Sequence, residues 1–530
     1  VREDDDGMSY TSYFYLLFFL GALVILYYLM PLKRRWLVLL GGSYFFYWLA
    51  SGKLIVFLLI TTVSVYLGAL AMEREQKAFD SVRKSLEKEE RKARKAAMMR
   101  RKRHIVLAMV LINVGLLAFL KYYHFFSANV NALGNSLNFG IQLPALKLVM
   151  PLGISFYTLS AVGYVIDVYR GQTAADHHFG RLALFLSLFT NITEGPISRY
   201  GQLAGQAFEG HRADYRQFTF GAQLILWGLF QKMVLADRAA LLVSTVFGSP
   251  SDYSGGVVIL AMLVYTLQIY ADFAGCMDIV RGSGALFGIE ITRNFHQPFF
   301  SRSIGEFWRR WHMTLGAWFK DYIFYPVTLS KTNMKLGRWA KKHLSPHLGQ
   351  VMPTAFALFF VWLANGIWHG AAWKYVAYGM YYYVLTLFGL LFKPMIFLFY
   401  KKTGIQKDSR PWQFFLILRT FILVNIGMLL FRADSLPVFA GMFVSMFRKT
   451  TGHWLELGLD VHDLAVLAAG VLLMLVVGIL REKGICIPER IASLPIIWRW
   501  MIYAGAFCAI VLLGAYGSGY GVVDPLYANF

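Results

Sequence analysis

The sequence predicts an all-α, polytopic membrane protein with about eleven to thirteen transmembrane or re-entrant helices. Three observations predict it. First, 57% of the 530 residues are hydrophobic and only 15% are charged, whereas a soluble domain is about 45–50% apolar and about 25% charged. A water-soluble fold of this composition would lack polar surface. Second, apolar runs recur at close to the roughly 20 residues that a span requires. Third, the excess of 52 Lys and Arg over 30 Asp and Glu, a net charge of +22, is gathered into a few segments. Cytoplasmic loops collect such residues, so the charge reads as topology and no nucleic-acid partner is expected. Cys276, Cys486 and Cys508 are too scattered for a disulfide framework or a Cys-rich metal site.

The elements follow in order. The acidic segment Val1 to Gly7 precedes Met8, which fits a natural start. The run Tyr13–Met30 is long for a signal peptide. It leads into Pro31-Leu32-Lys33-Arg34-Arg35 with no small-residue cleavage site, so it reads as a retained span. Second and third runs cover Trp36–Ala50 and Leu54–Met72, and a charged block then extends from Glu73 to Arg103. Its Glu–Lys and Glu–Arg spacings of three and four suit a solvated helix. Placing this block and Lys33-Arg34-Arg35 in the cytoplasm puts the N-terminus outside. Further runs lie at 105–126, 148–168, 181–193, 218–247, 257–275, 353–373, 375–400, 412–431, 463–480 and 497–516. Those at 148–168 and 181–193 are short or interrupted by Pro151, Gly153 and Gly163, as in broken or re-entrant helices. A second basic loop is expected from Lys331 to His343 and a third around Arg481, Lys483 and Arg490. With all three basic loops inside, the C-terminal tail is outside.

Ionisable groups at bilayer depth are expensive and point to function. In Tyr270-Ala271-Asp272-Phe273-Ala274-Gly275-Cys276-Met277-Asp278, two carboxylates close an apolar run. They would line a polar cavity or, as the plainer reading, pair with Arg281 and Arg293 at a helix end. From Ser303 to Tyr322, rings alternate with cations: Phe307-Trp308-Arg309-Arg310-Trp311-His312, then Trp318-Phe319-Lys320-Asp321-Tyr322. An interfacial aromatic belt explains the tryptophans but not this density of cations beside a histidine. Such a wall suits the phosphates and adenine of a nucleotide-bearing donor. In Asn365-Gly366-Ile367-Trp368-His369-Gly370, a histidine sits inside an apolar run, with Asn365 on the same face if the segment is helical. A neutral, desolvated imidazole is suited to taking a proton from a hydroxyl. The helix-breaking Thr193-Glu194-Gly195-Pro196-Ile197-Ser198-Arg199 reads as structural. No phosphate loop, nucleophile elbow or His-Glu-x-x-His is present, and no metal is implied.

Carried by these segments together with Pro151-Leu152-Gly153-Ile154-Ser155-Phe156-Tyr157, the chain resembles the membrane-bound O-acyltransferase family. The match is to its bacterial polysaccharide, alginate O-acetyltransferase-like branch, over about Trp36 to Phe431. The resemblance implies helices around a central funnel in one domain across 1–530. N-terminal spans would occupy 8–72, a basic cytoplasmic segment 73–104, the catalytic core 105–431 and C-terminal spans 432–530. It implies a multi-pass protein of the bacterial plasma membrane that takes acetyl-CoA or another acyl thioester from the cytoplasm and binds no resident cofactor. The acceptor would be an extracytoplasmic polysaccharide hydroxyl, with an esterase-like partner outside. The family's near-invariant histidine falls on His369, expected as general base, and its second polar position on His312, expected to orient the donor or polarise its carbonyl. Arg309, Arg310, Trp311, Lys320, Asp321, Asn365 and Trp368 are the expected donor and substrate contacts. D-alanyl transfer from a carrier-protein thioester is the nearest alternative. A transporter using Asp272 and Asp278 as ion sites is the alternative of another class, though it explains neither the Trp-His-Gly motif nor the absence of repeats.

Overall fold

A computed structural model describes residues 9–140, 142–452 and 456–516. Val1–Gly7, Met8 and the tail expected outside lie outside the described residues. Among the described residues every regular element is helical, and the one β-bridge, Ser254 to Thr451, is isolated. Eight helical stretches among the described residues are long and apolar enough to cross a membrane. A ninth results if Trp373–Leu391 and Lys393–Thr403, bent by 55°, form one span. The all-α, polytopic class expected from composition is therefore observed.

The sequence count is higher for a physical reason. Leu32–Val82 counts once among the eight, yet Gly52, at φ +52°, divides it into Arg35–Ser51 and Ile55–Val82, the two runs read separately from the sequence. Other expected runs are short: Ile154–Arg170 and Phe179–Ser187. Large apolar side chains such as Leu472, Trp498, Trp500 and Leu512 are exposed, which suits a lipid-facing surface, since lipid tails are as apolar as leucine.

The chain divides into two compact units, Val1–Ala222 with Val280–Thr292 and Gln223–Ile279 with Arg293–Phe530. In the first, Ile55–Val82 and Lys88–Ser136 form a hairpin whose charged ends carry the block 73–103. Glu73 pairs with Lys77 at 3.1 Å and Glu75 with Arg101 at 3.2 Å. The interrupted stretch is equally specific. Gly153, at φ +70°, starts Ile154–Arg170 where a Cβ would strike the carbonyl of Ile192. The non-helical chain around Ile192 is buried and held by several internal hydrogen bonds. Tyr10 Oη donates to the Phe189 carbonyl at 2.6 Å and Phe189 N–H donates to Ser43 Oγ at 3.1 Å. Asn191 Nδ2 donates to Pro196 O at 2.8 Å and to Ser198 Oγ at 2.9 Å. Irregular backbone inside a membrane domain needs this internal pairing.

The helix Tyr215–Leu229, whose residues from Gln223 onward belong to the second unit, continues through a π-helical turn, Phe230–Ala236, into Asp237–Gly248. A Cβ at Gly228 would strike the carbonyl of Gly275, so this stretch lies directly against Gly256–Ala285. Pro346–His369 packs between its sequence neighbours Lys331–His343 and Trp373–Leu391. The approach to the latter needs Gly366 and Gly379: a Cβ on Gly366 would meet the Tyr375 carbonyl, and one on Gly379 the Trp362 carbonyl. The segment 331–343, expected as a loop, is a helix. Ser330 caps it by accepting from Asn333 N–H at 3.2 Å, and Asn333 Nδ2 donates to the Pro353 carbonyl at 2.9 Å. Asn333 and Ala340 are buried while Lys331, Lys335, Arg338, Lys341 and Lys342 are exposed. The basic stretch is thus one face of an amphipathic helix.

Candidate active site

The first wall of the site is a break between two short helices. Ser303 caps Ile304–Arg310 by accepting from Glu306 N–H at 3.2 Å, and the helix stops at Trp311, whose backbone is extended. His312 then takes φ +43°, one of three non-glycine residues with positive φ among the described residues. That conformation costs on the order of 1–2 kcal/mol for an L-residue and persists where surroundings impose it.

Asn294 imposes it. Its backbone carbonyl accepts from Met313 N–H at 2.9 Å, and its side-chain Oδ1 accepts from Thr314 N–H at 3.1 Å and Thr314 Oγ1 at 2.8 Å. The opening N–H groups of Met313–Phe319 are therefore capped from outside the helix. His312 Nδ1 lies 3.3 Å from the same Oδ1. Trp311 is wedged among Tyr270, Phe295 and Phe307 at ring-centroid distances of 5.9, 5.1 and 5.4 Å. His312, 2% exposed, meets Phe273 at 4.9 Å and Trp368 at 5.6 Å. Burial pushes its imidazole down from 6.5 to about 3, so it is neutral at physiological pH.

The second wall is the end of Pro346–His369. His369, 2% exposed, sits in an aromatic cage of Trp368, Tyr378 and Phe431 at 4.9, 5.7 and 5.2 Å. The indole of Trp368 thus contacts both histidines. Asn365, one turn before His369, is also buried, and its Oδ1 has no hydrogen-bond partner among the described residues. Nearby, Trp308 packs on Trp362 at 5.1 Å and on Tyr382 at 4.8 Å, and the buried Nε1 atoms of Trp308 and Trp362 likewise have no partner among the described residues. Buried polar atoms are normally satisfied, so this group suits a polar reactant.

The structure therefore brings His312, Trp311, Trp368, His369 and Asn365 together in one unit. The cations divide. Arg309 and Lys320 are exposed, with Lys320 Nζ 5.6 Å from the Tyr325 ring. Arg310 is instead clasped by Glu306 at 2.8 Å and Glu482 at 2.8 Å. Asp321, half-buried, lies in the π-helical turn Lys320–Phe324.

Asp272 does not close a helix end. Its helix runs on from Gly256 to Ala285, and Asp272 pairs at 2.6 Å with Lys232, which also pairs with Asp237 at 2.7 Å. The plainer sequence reading, an acid paired to arginine at an interface, is corrected in this respect. Lys232 and Asn294 are the residues that sequence reasoning missed. Lys232 lies unremarked inside an apolar run, and its position at a π-helical turn, where functional residues concentrate, is visible only in three dimensions.

A family model for membrane-bound O-acyltransferases matches residues 172–431, a stretch that holds Lys232, Asp272, Asn294, His312 and His369. The chain belongs to this family. It is 31% identical over 373 residues to a probable alginate O-acetylase of Pseudomonas aeruginosa, covering 70% of this chain and 65% of that protein. It is 30% identical over 305 residues to a peptidoglycan O-acetyltransferase of Helicobacter pylori, covering 53% of this chain and 54% of the relative. It is 28% identical over 246 residues to a teichoic acid D-alanyltransferase of Bacillus subtilis, covering 46% and 59%. The chain spans just under two-thirds of the length of the alginate O-acetylase it matches.

Proposed function

We propose that the protein is a membrane-embedded O-acyltransferase that moves an acyl group, acetyl in the first instance, from a cytoplasmic thioester such as acetyl-CoA to a hydroxyl on an extracytoplasmic polysaccharide or partner protein. The observation that carries this reading is the buried pair His312 and His369 on the single indole of Trp368. Acyl transfer to a hydroxyl needs a neutral base for the O–H proton and donors for the oxygen charge that develops on the thioester carbonyl. The enclosure offers two imidazoles and the indole N–H groups of Trp308 and Trp362 for these tasks. The exposed Arg309 and Lys320 suit the phosphates of a nucleotide thioester.

The names of the relatives support the reaction class and leave open two acyl groups. Alginate and peptidoglycan acetylation favour acetyl; the teichoic acid relative favours D-alanyl from a carrier protein. An extracytoplasmic esterase-like partner and an N-terminus outside the plasma membrane complete the proposal. The test is thiol release by the protein in lipid nanodiscs, offered acetyl-CoA or a D-alanyl carrier protein in parallel. Release from acetyl-CoA alone supports the acetyl reading, release from the carrier alone replaces it with the D-alanyl reading, and release from neither, with the fold intact, removes the thioester mechanism.

A further inference from the structure

A long cleft in the second unit is separate from the two histidines. One wall is a stripe along Val461–Glu482, where Leu464, Leu467, Val471, Met474, Gly478 and Arg481 recur at helical spacing. At 1.5 Å per residue, Leu464 to Arg481 extends about 25 Å, close to the roughly 30 Å of a bilayer's hydrocarbon core. The facing wall comes from Leu263, Leu267 and Tyr270 of Gly256–Ala285 and from Phe299. Leu263, Val471 and Leu475 line the cleft and are exposed, so it opens on the lipid-facing surface that also carries Leu472. Its volume is about 660 Å³. A helix 10 Å across and equally long would need about 2,000 Å³. The cleft is thus too narrow for a further spanning helix and suits an extended chain.

Its few polar groups are graded along its length. Arg481, at one end, has its guanidinium 5.6 Å from the Trp227 ring and forms no ion pair among the described residues. The neighbouring Glu482 is already held by Arg310 at 2.8 Å. One helical turn apart in the same lining, Trp227 Nε1 and Gln231 Oε1 are buried with no hydrogen-bond partner among the described residues. Gln231 is 2% exposed. Buried polar atoms are normally satisfied, so these two point to an occupant that carries oxygen atoms. An indole N–H donates to such an oxygen, and a carboxamide can either donate or accept. Toward Leu242, Leu260 and Leu464 the lining is apolar. From this order of cation, polar pair and apolar groove we propose that the cleft holds one acyl chain of an anionic phospholipid. Its phosphate sits on Arg481 and its ester region at Trp227 and Gln231. Arg481 belongs with Lys483 and Arg490 to a basic segment read as cytoplasmic, and basic pockets between spans on that side attract anionic lipid. Tyr270 and Phe299 face the chain and also pack on Trp311 at 5.9 and 6.2 Å, so the lipid backs the aromatic wall beside His312.

The test is lipid retention. The full chain is released into detergent from nanodiscs holding equal phosphatidylglycerol and phosphatidylcholine with the same acyl chains, and bound lipid is counted by native mass spectrometry. The expected result is one phosphatidylglycerol retained in preference to phosphatidylcholine. Arg481→Gln keeps a polar side chain without the charge and lowers that preference about tenfold, the loss expected for one hydrogen bond to a charged group. Ala468→Phe, which puts a ring into the cleft, lowers retention of both lipids. Added to lipid-stripped protein, phosphatidylglycerol raises the melting temperature and inorganic phosphate does not. Equal retention of the two lipids by the unsubstituted protein overturns the proposal. So does phosphatidylglycerol retention that is unchanged in both folded variants, and so does an equal rise in melting temperature with inorganic phosphate. No acyl donor or acceptor is present in these measurements, so their outcome is independent of the acyl-transfer reading.

Discussion

Replacing Lys232 with methionine should unbalance the protein more than any other single change of a similar-sized side chain. The lysine is 1% exposed and lies between Asp272, 2% exposed, and Asp237, 15% exposed. Methionine has similar bulk and would preserve packing, so the cost is electrostatic. Removing one member of a buried ion pair leaves an uncompensated charge and costs about 3–5 kcal/mol. Here the remaining Asp272 carboxylate is nearly as buried as the lysine, which argues for the upper part of that range. Lys232→Met/Asp272→Leu removes both members of the closest pair and leaves the less buried Asp237. The double variant should therefore cost less than the sum of the singles, by up to about 3 kcal/mol of coupling. Fluorescence-detected size exclusion after a heating series, in one detergent for all four proteins, gives the comparison. Additive losses, or a Lys232→Met protein within about 1 kcal/mol of the parent, would refute the reasoning.

The other predictions concern the donor, helix packing and pH. Arg309→Glu with Lys320→Glu should raise the donor KM about tenfold or more with kcat nearly unchanged, as expected when charge-assisted phosphate contacts are lost. Arg310→Ala should instead lower thermal stability, because its guanidinium is held by Glu306 and Glu482; steady-state kinetics and melting of the same preparations separate the two behaviours. Gly379→Leu should abolish the folded peak in size exclusion, since even a Cβ there meets the Trp362 carbonyl. His312 titrates near 6.5 when unfolded and at about 3 when buried. The unfolded chain thus binds the extra proton between those values, and native stability falls as pH drops below 6.5, by up to about 1.4 kcal/mol per unit. His312→Gln should flatten that part of the stability–pH curve, which melting at pH 7.5 and 5 will detect.

The fold class was legible because a bilayer imposes coarse rules: long apolar runs, basic segments between them, and glycine or proline where helices break. Gly153 and Gly195-Pro196 were visible as interruptions for this reason, and the structure shows what they accommodate. Lys331–His343 was misread as a loop because its cations mask a helical face, and the buried Asn333 and Ala340 that anchor it are individually unremarkable. At the site, His312, Asn365 and His369 stood out as polar residues in apolar or aromatic runs. Asn294 did not: it has no motif of its own, and its importance comes from three polar atoms of residues 312 and 314 that converge on one oxygen. Lys232 was hidden by the same kind of logic, since its partners at 237 and 272 come from separate turns of the chain.

The central claim is that a buried histidine pair beside Trp368 moves the proton in acyl transfer to a hydroxyl. Single-turnover thiol release from a matched acyl thioester, with a polysaccharide acceptor and the protein in nanodiscs, tests it most directly when the parent is compared with His312→Gln and His369→Gln. The account predicts that His369→Gln slows transfer by about 10²–10⁴-fold, that His312→Gln is also slowed, and that both keep the parent's elution profile. Transfer at the parental rate by both folded variants would contradict it.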